Sequence, residues 1–169
     1  MERYDVAHLL ALARIRLRII RHTLADHGGN LFKTMGDGAL IECPNVEDSV
    51  RCAIAFQTAM AARNAGRADD AIEVRLGVGL ADVFVSGEDR FGAAVGFVVR
   101  LQQAAPPGGI AITHSVRWQL ARPLAAEFDR PEWVEVKNVD EPFARWLCRR
   151  PGRQSSRRPS AAAFAPRRA

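Results

Sequence analysis

The feature that most constrains the fold is a pair of short alternating runs joined by a Gly-Asp-Gly turn. Residues 31–35 read LFKTM, residues 39–43 read ALIEC, and Gly36, Asp37 and Gly38 separate the two runs. Alternating runs on either side of an Asp-Gly dipeptide are typical of a β-hairpin, because the turn needs residues that accept a positive φ. The chain is therefore expected to build antiparallel sheet at this point.

Helical patterns flank this hairpin on both sides. From about residue 6 to residue 26, apolar residues recur at helical spacing with arginines between them, and His27 and two glycines end the pattern. Asn45 precedes a second predicted helix over residues 46–64, whose acidic first turn suits the helix dipole. The hairpin is thus expected to connect two amphipathic helices.

The second half of the sequence predicts one longer strand, a helix and several short elements. Residues 72–87 read as a single strand, in which Gly77 and Gly79 indicate a bulge or the close approach of another backbone. A helix follows over residues 93–105 and ends at a Pro-Pro-Gly-Gly run. The remaining pieces are the short strands IAIT, AAEFD, WVEVK and FARWLC and a short helix near 115–120. This order predicts an α+β sandwich.

Charge divides the 169 residues into a body and a basic tail. The net charge is +5, but residues 149–169 contain seven arginines and no acid, which leaves 17 basic and 19 acidic residues in 1–148. The sequence predicts one domain over 1–148 and a disordered tail rich in Arg, Pro, Ser and Ala over 149–169. A solvated tail is the simpler interpretation, and weak contact with nucleic acid or an anionic membrane is the alternative.

Several classes of protein are excluded by what the sequence lacks. The apolar stretches are interrupted by arginine, and no signal peptide is evident, so a cytoplasmic location is expected. Cys43, Cys52 and Cys148 show no C-x-x-C spacing and are expected to be free thiols, and the four histidines form no zinc motif. Walker A, G-x-S-x-G and G-x-G-x-x-G patterns are also missing.

Four motifs occur in a characteristic order. K-x-x-G-D-G begins at Lys33, R-x-G-V at Arg75, D-x-x-G-x-x-V at Asp89, and P-G-G-I occupies 107–110. From about Leu9 to Cys148 the chain resembles the class III adenylate/guanylate cyclase catalytic domain. The resemblance implies a ferredoxin-like βαββαβ sandwich. It also implies a reaction in which the ribose 3′-hydroxyl of ATP attacks the α-phosphate and pyrophosphate leaves, with the site at a dimer interface.

The resemblance assigns roles to five residues. Asp37 matches a metal-binding carboxylate for Mg²⁺ or Mn²⁺, although an Asp-Gly turn has a purely structural explanation as well. Lys33 and Asp89 match the pair that reads the purine, and a Lys donor with an Asp acceptor complements adenine rather than guanine. Lys137 matches a phosphate-facing lysine, and Arg100 matches the arginine that steadies charge on the α-phosphate. Lys33 and Lys137 are the only lysines in the sequence.

Two departures from the family pattern are equally informative. The family begins with a strand that carries D-[IV]-x-G-[FY], whose Asp is the other metal ligand, and this motif does not occur in the chain. The expected fold therefore lacks its first, central strand, which would lie between the second hairpin strand and the strand around Gly77. A start codon placed too late, a decayed gene, and a partner segment that fills the gap remain open as explanations. The second departure is Gly96, where the family has an Asn that orients the ribose.

The resulting functional prediction is a cyclase-family domain that converts ATP to cyclic AMP and pyrophosphate in cAMP signalling, with impaired turnover. One carboxylate holds two Mg²⁺ ions poorly, and Gly96 offers the sugar no side-chain hydrogen bond. The alternative is a non-catalytic regulatory or dimerisation module that binds nucleotide or a partner cyclase. The expected partners are ATP and a second cyclase domain, in a homodimer or a heterodimer.

Overall fold

The computed structural model has an α+β architecture, as the sequence predicts. It describes residues 6–80, 84–86, 89–91, 93–129, 131–134 and 143–148. The helices are α1 (Val6–His27), α2 (Val46–Asn64), α3 (Ala93–Ala104), α4 (His114–Gln119) and α5 (Arg122–Ala125). The strands are β1 (Asn30–Met35), β2 (Gly38–Glu42), β3 (Leu76–Val78), β4 (Phe84–Ser86), β5 (Asp89–Phe91), β6 (Ile110–Thr113), β7 (Glu132–Val134) and β8 (Phe143–Leu147). The predicted tail, 149–169, lies outside the described residues.

The described strands form three separate sheets. β1 and β2 make one antiparallel pair, and β4 and β5 make another. The third sheet has the order β3-β6-β8-β7, in which β3 runs parallel to β6 and the other neighbours are antiparallel. β3 is therefore an edge strand of the third sheet, and β2 is not paired with it.

The hairpin prediction is confirmed. Met35 pairs with Gly38 across a tight turn in which Gly36 has a φ of +59°, a conformation that glycine adopts without strain. Lys33 pairs with Leu40, so it lies on β1 two residues before the end of the strand. The turn places Asp37 at the tip of the hairpin, where it is exposed.

Helix α2 has the predicted bounds, and its first turn explains why. The Asn45 side chain accepts a hydrogen bond from the backbone N–H of Asp48 at 2.8 Å and donates one to the Asp48 carboxylate at 2.6 Å. This cap satisfies a backbone donor that would otherwise have no partner. The buried face of α2 then packs against the β3-β6-β8-β7 sheet in a core that includes Val50, Ile112 and Val116. Helix α1 packs along α2.

The prediction of a single strand over residues 72–87 is wrong. The structure has a short strand β3, and β4 belongs to a separate hairpin with β5. Helix α3 approaches the backbone of β3 closely: a Cβ added at Gly77 would lie 2.7 Å from the backbone nitrogen of Gln102. The predicted close approach at Gly77 is therefore confirmed. A Cβ added at Gly79 would similarly lie 2.8 Å from a methyl of Val98.

The prediction of a short strand over residues 125–129 is also wrong. This segment does not form a strand, because Ala125 ends helix α5 and Phe128 makes a single bridge to Cys148. Phe128 is buried in the main core, so the segment contributes packing rather than sheet. No helix in the described part of the chain is long and apolar enough to cross a membrane.

Candidate functional site

A cavity of about 740 Å³ separates the β1-β2 hairpin from strand β3. Helices α1 and α2 and part of α3 form its other walls. Its lining is mainly apolar and includes Leu17 and Ile20 of α1, Val46 of α2 and Val98 of α3. The cavity lies between β2 and β3. According to the family resemblance, the central strand that this sequence is expected to lack would run between the same two strands.

The cavity lies along the edges of two strands. Both β2 and β3 line it, and among the described residues neither has a neighbouring strand on that side. The absence of the central strand therefore stays a prediction, and the described residues show only that β2 and β3 do not pair with each other.

Asp37 lies at one end of this cavity. The other charged residues in its lining are Arg16 of α1, Glu42 and Arg75. Glu42 is at the far end of β2, about 17 Å along the strand from Asp37, so the two carboxylates do not share an ion. The described residues contain no group of three His, Cys, Asp or Glu side chains that could hold a metal ion. Asp37 alone does not fit the two-metal site that the resemblance implies.

The predicted purine-reading residues lie on neighbouring strands. Lys33 is exposed on β1, and Asp89 is the first residue of β5, which packs against both β1 and α3. The side chain of Asp89 lies outside the described part of the structure. Arg100 is half-buried on α3. The fold therefore brings together the three elements that carry Lys33, Asp89 and Arg100, whereas Lys137 lies outside the described residues.

Gly96 leaves open space on helix α3. Apart from its chain neighbours and the backbone of its own helix, no heavy atom of the described residues lies within 4 Å of the position that a Cβ would occupy there. The structure thus gives no packing reason for a glycine at this position. In a helix, glycine costs about 1 kcal/mol relative to alanine. A side chain at the position where the family has its ribose-orienting Asn would be accommodated.

Two cysteines in the cavity wall were not identified as a pair from the sequence. The Cys52 thiol hydrogen-bonds to the Cys43 sulfur, which lowers the pKa of Cys43 to about 7 against the opposing effect of burial. The same hydrogen bond, together with burial, raises the pKa of Cys52. For comparison, burial raises the pKa of Cys148 to about 11. A spacing of eight residues between the pair carries no recognisable motif, so the sequence offered no signal.

Comparison with known proteins gives consistent results. No protein-family model matches the chain. It is 36% identical over 148 residues to the protein named "Putative adenylate cyclase 3" of Rhizobium meliloti (strain 1021). The alignment covers 86% of this chain but 25% of that protein, so the chain spans about a quarter of the length of this relative.

Solved structures extend the comparison to three dimensions. An adenylate/guanylate cyclase/hydrolase from Silicibacter pomeroyi superimposes with a TM-score of 0.78 and 30% identity, over 88% of this chain and 87% of that one. The guanylate cyclase domain of RhGC from Catenaria anguillulae, solved with GTP, gives a TM-score of 0.69 over 88% and 87% of the two chains. At 17% identity, this second likeness shows the fold alone. Motifs, fold and relatives agree: the chain belongs to the class III adenylate/guanylate cyclase family.

Proposed function

We propose that this chain is an ATP-type cyclase domain in which the nucleotide-reading half of the site is present and the metal-binding half is incomplete. The observation that carries the proposal is the cavity beside Asp37. It lies between β2 and β3, where the family places the strand that bears the other metal carboxylate. In this form the chain is expected to turn over ATP negligibly.

The nucleotide-reading half uses residues whose chemistry suits adenine and phosphate. The Lys33 ammonium would donate to the ring nitrogen N1 of adenine, and the Asp89 carboxylate would accept from the exocyclic amino group. Arg100 would lie against the charge that develops on the α-phosphate, and Lys137 against the other phosphates. The adjacency of β1, β5 and α3 supports this assignment.

The metal-binding half supports catalysis poorly. When bound, Mg²⁺ or Mn²⁺ would activate the ribose 3′-hydroxyl and neutralise the phosphates. Mg²⁺ demands near-octahedral oxygen coordination and is usually held by one or two carboxylates plus phosphates and water. Asp37 supplies one carboxylate, and the described residues contain no group of three or more His, Cys, Asp or Glu side chains that could hold an ion.

The activity prediction is tested with the purified chain, ATP and Mn²⁺, with cyclic AMP measured by chromatography. We expect the wild type to form no more product than Asp37→Ala. Asp69→Ala, which removes an exposed carboxylate far from the hairpin turn, is the matched control. Abundant cyclic AMP from the wild type and from Asp69→Ala, but not from Asp37→Ala, would show that the metal site is complete and refute the impairment.

A second candidate function is a regulatory module that binds nucleotide or pairs with an intact cyclase. The retained Lys33, Asp89 and Arg100 beside an incomplete metal site favour it. Calorimetry with ATP and with GTP, and size-exclusion chromatography alone and with a second cyclase domain, distinguish the two candidates. ATP binding or dimer formation without turnover would support the module. A monomer that binds neither nucleotide would eliminate it.

A further inference from the structure

Cys43 and Cys52 meet where strand β2 leads into helix α2. Cys43 directly follows β2, and Cys52 lies two turns into the helix. On α2, Ser49 and Cys52 are three residues apart and thus share the face that turns toward the end of β2. The two thiols are in hydrogen-bond contact. Cys52 is buried and Cys43 is half-buried.

The surroundings stabilise a thiolate at Cys43 rather than at Cys52. Cys43 accepts a hydrogen bond from the Cys52 thiol, and the Ser49 hydroxyl, which donates to the Asn45 carbonyl at 2.9 Å, lies nearby. The N-terminus of helix α2, three residues further along, adds the positive end of a helix dipole. Asp48 and Glu42 act in the opposite direction without cancelling these effects. One member of the pair is therefore an activated nucleophile, and the other holds the proton.

Small oxidants can reach this pair through the cavity. Both cysteines line the space of about 740 Å³ between the hairpin and β3, which is far larger than a peroxide molecule. Cys148 is not part of that lining, and all three cysteines are free thiols. Access, an activated thiolate and an adjacent second thiol are the three requirements for disulfide formation by a peroxide.

We propose that Cys43 and Cys52 form an oxidation site, in which a hydroperoxide converts the two thiols to a reversible disulfide. The Cys43 thiolate attacks one oxygen of hydrogen peroxide, the O–O bond breaks, and Cys43 becomes a sulfenic acid while the departing hydroxide takes a proton from solvent and leaves as water. The Cys52 sulfur then attacks the sulfenic sulfur, and the S–S bond forms as a second water leaves with the Cys52 proton. Two thiols are oxidised by two electrons and one peroxide is reduced to two waters.

Oxidation would also change the cavity itself. A disulfide would tie the end of β2 to the second turn of α2, so the wall of the cavity beside Glu42 would become rigid. The hairpin that carries Lys33 and Asp37 would then be fixed relative to α2. The oxidation site is independent of the proposed cyclase function, because neither cysteine matches a family motif.

Trypsin offers a direct test, because Arg51 separates the two cysteines. Digestion yields peptide 34–51, which contains Cys43, and peptide 52–63, which contains Cys52. The full-length reduced protein is treated with hydrogen peroxide, free thiols are blocked with iodoacetamide, and the digest is analysed by mass spectrometry. We expect a disulfide-linked pair of these two peptides that increases with peroxide and disappears with dithiothreitol. Recovery of both peptides as alkylated thiols, or of Cys43 oxidised without a link, would overturn the proposal.

Two variants and a pH series sharpen the test. Cys52→Ser, which keeps a hydrogen-bond donor for Cys43 but cannot form a disulfide, should leave Cys43 as a sulfenic acid that dimedone traps, whereas Cys148→Ala should form the linked peptide as the wild type does. The alkylation rate of Cys43 should rise with pH, reach half of its maximum near pH 7 and level off about one pH unit higher. At pH 7 it should exceed that of Cys148 by on the order of 100-fold, after allowing for the lower nucleophilicity of a low-pKa thiolate. Equal rates at the two cysteines would contradict the assigned thiolate.

Discussion

The close contact between Gly77 and helix α3 predicts that Gly77→Ala lowers the free energy of unfolding. A Cβ at residue 77 would lie 2.7 Å from the backbone nitrogen of Gln102 and 3.0 Å from its Cα. It would also lie 3.0 Å from the carbonyl oxygen of Val98. Ordinary contacts between heavy atoms are about 3.5–4.0 Å, so Gly77→Ala must push α3 away from β3 by up to about 1 Å. These are backbone atoms, which cannot rotate aside as a side chain can.

The expected magnitude follows from two opposing effects. Overpacking of a tight contact costs about 1–3 kcal/mol, and replacing a strand glycine with alanine recovers about 0.5–1 kcal/mol. Gly77→Ala should therefore lower the free energy of unfolding by about 1–2 kcal/mol. Gly96→Ala is the matched control on α3, where a Cβ meets nothing within 4 Å. It should raise the free energy of unfolding by about 1 kcal/mol.

Urea unfolding followed by far-UV circular dichroism measures both changes. In a domain of this size, 1 kcal/mol corresponds to a shift in Tm of about 2–4 °C, so thermal melts provide an independent check. The dependence of the free energy on urea should be the same in the wild type and both variants, because none of the changes alters the surface exposed on unfolding. The reasoning is refuted if Gly77→Ala is as stable as the wild type, or if both variants shift in the same direction.

Three further predictions concern a buried bridge, the ribose position and the tail. Gln57→Leu should lower the free energy of unfolding by about 2–3 kcal/mol in urea titrations, because Gln57 donates to the carbonyls of Val74 at 2.7 Å and Gly109 at 3.1 Å, and both would lose this donor. Gly96→Asn should fold as stably as the wild type and tighten ATP binding in calorimetry, without producing cyclic AMP. Unchanged ATP affinity would argue against a ribose contact at this position. Deleting residues 149–169 changes the net charge from +5 to −2 and should lower the salt concentration at which the protein elutes from heparin. Elution at an unchanged salt concentration would show that the arginines make no such contact.

Local sequence signals predicted the hairpin and helix α2 well because their causes are local. The turn requires a positive φ at Gly36, and the cap of α2 is made by Asn45 and the residue three positions later. The prediction of a single strand over residues 72–87 was wrong because the extent of a strand depends on tertiary contacts. Their apolar pattern suits a strand, but the length of a strand depends on which neighbours pair with it, and β3 pairs along one edge with three residues of β6. No local pattern reports where α3 approaches Gly77.

Local sequence also predicted only part of the candidate site, because some of its features depend on tertiary packing. Lys33 and Asp37 belong to the hairpin motif, so their exposed positions on β1 and at its turn followed from local sequence. β5 lies close to β1 and α3 because of the tertiary fold. No local pattern predicts this proximity, and the order of the motifs implied it only through the family resemblance. The contact of Cys43 with Cys52 depends on the angle at which α2 leaves β2. That angle is set by packing in the core, so their pairing was missed.

The cavity beside Asp37 is relevant to both the activity and the folding of this chain. β2 and β3 both line the cavity, and among the described residues neither pairs with a strand on that side. A strand inserted there would form hydrogen bonds with both edges and bury the apolar lining in the same step. A carboxylate on that strand near Asp37 would also extend the oxygen ligand set for Mg²⁺. Stability and turnover are therefore expected to rise together when a strand fills the cavity, whereas Gly96→Asn is expected to change nucleotide binding without a gain in turnover.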